Sequence, residues 1–214
     1  MTIATKTLAS AILLAILSPA QASYLNEAEP NDTIEQAQSM DSYFSMNYDA
    51  DIGDVGGINR STTMAHASVL ATGDNTFDYY SFTLSRESTV ILDIDYGMQD
   101  FDSVLSLWKG DGTFFEQNDD KYSPDIVGAG GSVSGFDSFI QTTLQAGTYV
   151  VGVALYKSYG ADGGWDAISR PVPTGADYTL HATVGAVPEA ETYAMMLAGL
   201  GLVGFAASRR KLKN

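Results

Sequence analysis

The chain has 214 residues, 26 acidic against 11 basic side chains, a formal charge of −15 and no cysteine. Such a balance repels nucleic acid and anionic lipid and favours metal cations or basic partners, and the lack of thiols excludes disulfides and cysteine nucleophiles together. Twelve tyrosines, nine phenylalanines and two tryptophans suit packed strand faces better than a disordered linker.

Residues 1–22 read as a secretory signal peptide. Lys6 gives the positive n-region, Ala9 to Leu17 the apolar h-region, and Ala20-Gln21-Ala22 a small-x-small cleavage site. The mature chain is then expected to start at Ser23, and residues 23–186 form one domain of a size that holds a real core. Without the single base of the leader and the four bases and two acids of the tail, this body holds 24 acids and 6 bases, a formal charge of −18.

The body opens on an acidic segment, Glu27-Ala28-Glu29-Pro30-Asn31-Asp32. Thr33 to Met40 alone reads as briefly helical. The stretch from Tyr43 to Val69 contains Asp49-Ala50-Asp51-Ile52-Gly53-Asp54, which hints at a calcium loop but fails the EF-hand pattern. Asp54 stands at the sixth position, where Gly is required, and Arg60 at the twelfth, where a bidentate Glu belongs. It is read as a solvated loop.

Strands follow. In Phe77 to Leu84, Tyr80, Phe82 and Leu84 alternate with Ser81 and Thr83, the period-two mark of a half-buried strand. Val90, Leu92, Ile94 and Tyr96 repeat it, with Asp93 and Asp95 on the other face. Asp102 to Trp108, Phe136 to Leu144, Thr148 to Leu155 and Asp177 to Val184 read likewise. Gly- and Asp-rich turns separate them at 109–112, 128–131, 145–147 and 162–164. The expected fold is an all-β, jelly-roll-like β-sandwich.

The tail, residues 187–214, sets Val187-Pro188-Glu189-Ala190-Glu191-Thr192 before an uncharged run from Tyr193 to Ala207 and then Arg209-Arg210-Lys211. As a helix at about 1.5 Å per residue the run spans roughly 22 Å, a marginal transmembrane helix against a hydrocarbon core of about 30 Å. The basic cluster would stay cytoplasmic and everything before it would be exported. Gly199-Leu200-Gly201-Leu202-Val203-Gly204 matches the dinucleotide fingerprint by letter, but no acidic residue stands about twenty positions on, since the sequence given stops ten residues after Gly204.

Catalytic patterns are sparse. A serine hydrolase needs a histidine within reach of serine; the two histidines are His66, in the variable stretch, and His181, within the last expected strand. Zinc chemistry wants clustered His or Cys. So many acids always allow some pair at glycosidase spacing, so no assignment follows from that. No enzymatic activity is expected.

Two resemblances add to this reading. Pro188-Glu189 with Thr192, the Gly-rich apolar run and the Arg209-Arg210 cluster resemble the PEP-CTERM sorting signal, with Ala190 where the commonest form has a second Pro. The alternative is an ordinary C-terminal anchor. The resemblance implies processing by exosortase at the inner membrane of a Gram-negative bacterium, then delivery to the cell surface or extracellular matrix, in association with exopolysaccharide and biofilm. The body resembles the bacterial pre-peptidase C-terminal (PPC) domain: the opening Glu27 to Thr33 with Ala37, Asp78-Tyr79-Tyr80-Ser81-Phe82, Asp102 to Leu107, Asn118-Asp119-Asp120, Leu144 to Tyr149, and Asp177-Tyr178-Thr179-Leu180 stand in the family's order.

Calcium takes six to eight oxygens from flexible backbone, and Glu27, Glu29, Asn31 and Asp32 lie within six residues. In collagen-binding members of the PPC-like group an acidic segment of this kind ligates calcium with acids from a later strand or turn; carried over, the partners are Asp74 and Asp78. The competing reading is a solvated lead-in. A second acidic group, Asp93, Asp95, Asp100, Asp102, Asn118, Asp119 and Asp120, is explained mainly by turn formation. Trp108, Trp165, Tyr156, Tyr159, Phe114 and Phe115 fall near strand ends, where they present to a sugar or polypeptide or cap the core. The expected function is a non-catalytic, exosortase-sorted surface or matrix protein binding polysaccharide or matrix protein with calcium support. The alternative is an accessory domain acting in trans on a secreted peptidase.

Overall fold

The structure is a computed structural model that describes residues 24–52, 58–95, 101–120 and 136–186. Twelve strands are present among them: β1 (Tyr24–Asn26), β2 (Gln38–Ser39), β3 (Ala65–Thr72), β4 (Asp78–Leu84), β5 (Ser88–Asp95), β6 (Ser103–Lys109), β7 (Phe114–Asn118), β8 (Phe139–Leu144), β9 (Gly147–Leu155), β10 (Gly160–Ala161), β11 (Gly164–Trp165) and β12 (Asp177–Ala186). The helical expectation at Thr33 to Met40 reduces to one 3-10 turn, Ile34–Gln36, running straight into β2.

Two five-stranded sheets form the sandwich. The first has the order β1-β3-β12-β5-β8 and the second β2-β4-β9-β6-β7, while β10 and β11 make a separate hairpin. The pairings β1/β3 and β2/β4 are parallel; the other ladders are antiparallel. Tyr80, Phe82 and Leu84 from β4 meet Val90, Leu92 and Ile94 from β5 and Leu180 and Ala182 from β12 in one core. The period-two pattern of those strands put that face inward, as the alternation required.

The opposite faces are where the structure departs from expectation. β5, β6 and β9 are buried along nearly their whole length rather than on alternate residues, because each sheet carries a cover. Over the second sheet, the β10–β11 hairpin and the 3-10 turn pack Trp165, Phe114 and Ile34 against Tyr79, Trp108 and Val150. Over the first, the described residues of the segment from Ser45 to Met64 lie as a flap. Ser45 exchanges two backbone hydrogen bonds with His66, at 3.0 and 2.8 Å, Ile52 is 1% exposed, and Met64 packs on Ile91 and Phe139.

The solvated-loop reading of Tyr43 to Val69 is therefore corrected. Its last residues belong to β3, and the described part of the remainder is a cover with buried contacts. His66 likewise sits within β3, not in a loop. Two short stretches of apparently hydrophilic chain gave no periodic signal because their role is to roof a sheet, not to extend one. No helix among the described residues is long and apolar enough to cross a membrane. The signal peptide and the tail helix both lie outside the described residues.

Candidate metal centre

β1 and β2 are the edge strands on one side of the sandwich, one in each sheet. The chain between them must cross from the first sheet to the second, and the acidic segment makes that crossing. Glu27 N donates to Leu70 O in the first sheet (2.9 Å) and Tyr79 N in the second donates to Asn31 O (3.0 Å). The crossing caps the end of the core at which β4 begins.

Asp78, the first residue of β4, shares its face with Tyr80 and so points into this mouth with no exposed surface. One carboxylate oxygen each from Glu27, Glu29 and Asp78 lie within 4.8 Å of one another. Three donors fix Glu27: the Tyr80 hydroxyl, Asn31 Nδ2 (3.3 Å) and Thr72 N (3.0 Å). Glu29 Oε2 accepts from Asn31 N at 2.9 Å. Asp78 Oδ2 is hydrogen-bonded to the Tyr178 hydroxyl at 2.6 Å, which in turn lies 2.8 Å from the Tyr80 hydroxyl.

Two completely buried residues at the mouth each leave an oxygen over. Asn31 and Asp78 are both completely buried, and Asn31 Oδ1 and Asp78 Oδ1 have no hydrogen-bond partner. Orphaned buried acceptors beside three converging carboxylates are costly without a positive charge among them. Burial, and next the charge of Glu27, push the Asp78 carboxyl up to about 8, partly offset by Tyr178; burial also raises Glu29. An all-oxygen set of carboxylates and an amide is the chemistry of a hard cation such as calcium.

Of the six residues marked in the sequence, the structure thus brings together Glu27, Glu29, Asn31 and Asp78. Asp32 lies alongside, its Oδ1 buried and unpartnered and its charge felt at Glu29. Asp74 is drawn away: its Oδ1 closes a turn by accepting from Thr76 N (2.9 Å) and Thr76 Oγ1 (2.6 Å), although its charge still acts on Glu29 and Asp78. Tyr80 and Tyr178 went unmarked, although a phenol on the core face of a strand needs a polar partner for its hydroxyl.

The second acidic group is really two. Asp93 and Asp95 stand on the outer face of the first sheet beneath the flap, whereas Asp102, Asp119 and Asp120 gather with Asp137 near the mouth, and burial followed by those three charges raises Asp102. Asp100 lies outside the described residues. Beneath the flap, Ser68 Oγ is 2.6 Å from His181 Nδ1 and the Asp95 carboxylate is 3.2 Å from His181 Nε2. A serine does lie within reach of a histidine, then, but all three side chains are at most 3% exposed, and the chain cross-links β3, β12 and β5. Of the marked aromatics, Trp108 is fully buried with Nε1 donating to Ala161 O at 2.7 Å, Trp165 and Phe114 are half-buried, and Phe115, Tyr156 and Tyr159 are exposed.

With two packed sheets and a roofed exterior, the described body is an all-β sandwich domain. Residues 186–211 match the PEP-CTERM protein-sorting motif, including Val187, Pro188, Glu189, Thr192, Arg209 and Arg210. The chain is accordingly an exported protein that is anchored transiently in the membrane, processed by exosortase and sorted to the cell surface. Among solved structures it is similar to the pre-peptidase C-terminal domain of a Bacillus anthracis collagenase, at 12% identity and TM-score 0.32, over 64% of this chain and 98% of that one. It is also similar to a Paenibacillus cycloisomaltooligosaccharide glucanotransferase complexed with cycloisomaltoheptaose, at 14% identity and TM-score 0.29, over 75% of this chain and 24% of that one. No curated protein matches the chain.

Proposed function

We propose that the protein is a non-catalytic component of the surface or extracellular matrix of a Gram-negative bacterium, binding polysaccharide or matrix protein on a sandwich whose crossing segment is pinned by calcium. The observation that carries the reading is the sorting motif, which begins at Ala186, the residue where β12 ends. The body is thus joined to its address without an intervening domain. Calcium is supported by the converging oxygens of Glu27, Glu29 and Asp78 and by the orphaned Oδ1 atoms of Asn31 and Asp78. With no cysteine in the chain, a cation at the crossing would tie the two sheets as a disulfide otherwise might.

Removal of residues 187–214 is expected to leave the protein in the medium or periplasm instead of the surface or matrix fraction, read by cell fractionation and immunoblotting. An unchanged distribution would refute the sorting role. Calcium at about a hundredfold over its dissociation constant adds about 2.7 kcal/mol by mass action, or roughly 5–10 °C for a domain of this size. The double variant Glu29→Ala, Asp32→Ala should lose that rise.

A further inference from the structure

On the side of the sandwich away from the crossing segment, the edges are β8 of the first sheet and β7 of the second. Between them, at the end where the β6–β7 and β8–β9 turns meet, runs a groove of about 740 Å³ lined by Lys109, Asp111, Phe115, Thr143, Gln145 and Thr148 among others. This volume falls within the range of small-molecule and oligomer sites. It is remote from the metal centre: β4 runs from Asp78, opposite Val153, to Leu84, opposite Gly147 at the groove, a separation of about 20 Å at roughly 3.3 Å per residue.

We infer that this groove binds a neutral polysaccharide strand, an assignment that rests on the matrix reading above and specifies its ligand. Phe115 is 41% exposed; its neighbour Phe114 packs on Trp108, whereas Phe115 stacks on no other ring among the described residues. A free aromatic face in a cleft is the surface on which a pyranose ring stacks its C–H groups. Around it stand groups of alternating capacity: the Thr143 hydroxyl both donates and accepts, the Lys109 ammonium donates, and the Asp111 carboxylate accepts. Sugar hydroxyls use both functions. The single positive and single negative charge cancel within the groove, while the body around it carries a formal −18, which disfavours a polyanion over a neutral chain.

Residues 23–186 contain both sheets and every core residue, and serve as the test protein. The probes are soluble hydroxyethylcellulose, dextran and xylan as neutral polymers, with alginate as the polyanion, in affinity gel electrophoresis with calcium and with chelator. Retardation by at least one neutral polymer is expected in both conditions, weakened at least tenfold by Phe115→Ala and unchanged by Glu35→Gln, an exposed carboxylate outside both sites. Phe115 is too exposed for its loss to unfold the domain, and an unaltered melting temperature of the variant checks this; Thr143→Val should weaken binding more modestly. No retardation by any neutral polymer, binding of alginate alone, binding of immobilised matrix protein alone, or full binding by Phe115→Ala would each overturn the assignment. Loss of binding on chelation would overturn it too, by moving recognition to the metal end. None of these results bears on surface sorting or on the calcium-dependent melting rise, which stand or fall separately.

Discussion

At the mouth of the sandwich, three short oxygen contacts run in series from Asp78 through Tyr178 and Tyr80 to Glu27. Two phenols supply only two protons. With Tyr178 donating to Asp78 and Tyr80 to Glu27, both are used and the contact between the two hydroxyls has none; a proton on Asp78 lets Tyr178 turn its own toward Tyr80 and completes the series. Burial of Asp78 drives the same way, its carboxyl being pushed from 3.8 to about 8. A group whose folded value is raised stabilises fully below its unfolded value, here about 3.8, and that contribution is lost as the pH rises through about 8. Near pH 7 the unfolded chain gains about 4 kcal/mol from ionising this one group, over about 3.2 pH units at 1.36 kcal/mol each, which the folded, cation-free protein cannot recover.

Asp78→Asn removes that liability. The amide never ionises, and it keeps a donor for Tyr178. In chelator near pH 7 the variant should be more stable than the natural protein by up to about 4 kcal/mol, or roughly 8–16 °C in melting temperature, with the gain shrinking toward pH 4. In millimolar calcium the order should close or reverse, because the variant loses a carboxylate ligand and with it the calcium-dependent rise. Differential scanning fluorimetry across pH, with calcium or chelator, reads both effects. A variant that melts below the natural protein in chelator near pH 7 and still responds to calcium would refute both the proton count and the metal centre.

The flap makes further predictions. Ile52→Ala should cost about 2–5 kcal/mol in urea denaturation, as for a core isoleucine, whereas a solvated loop would lose less than about 0.5 kcal/mol. His66 is held neutral, lowered chiefly by burial beneath the flap; its contribution is present above about 6.5 and is lost as the pH falls through its folded value. His66→Gln should therefore flatten the decline of stability on acidification, followed by far-UV circular dichroism. Trp108→Ala, which empties a fully buried site and orphans Ala161 O, should cost about 3–5 kcal/mol and loosen the β10–β11 hairpin, read by increased proteolysis near Gly163.

The strands with clean alternation were legible to within a few residues, as β4 and β12 show, because one core face and one roofed polar face still alternate in hydropathy. β3 was not. Its core residues are Ala67, Val69 and Ala71, and its outer residues, His66 and Ser68, are polar yet buried, so nothing in the stretch reads as amphipathic. β1 and β2 have two or three residues each and exist only through parallel pairing with β3 and β4, a contact between segments far apart in the chain. The oxygen cluster at the crossing was legible to the extent that it is local: Glu27, Glu29 and Asn31 arrive together. Asp78 joined by resemblance, and Asp74, two residues before Thr76, formed the turn that its residue type favours. The link between Ser68 and His181 spans 113 positions and leaves no local trace.

The two sides of the sandwich are managed differently, and that difference assigns them different work. On the β1/β2 side, both edge strands are short and the crossing segment spans them, so few backbone groups are free to recruit another chain. Glu27 reaches both sheets there, accepting from Thr72 N in the first and from the Tyr80 hydroxyl in the second. A cation at that point would stiffen a junction that is already closed, and its effect would be on stability. On the β7/β8 side the edges are longer, no described segment covers the end nearest Lys109 and Gln145, and the exposed ring of Phe115 and the hydroxyl of Thr143 stand there without partners. The chain also leaves for its sorting motif at this end, since Ala186 pairs with Ser88, which in turn pairs with Leu144 at the groove. On the proposed reading, the ligand would be gripped near the point of attachment, and calcium would act by holding the far end shut rather than by reaching the ligand.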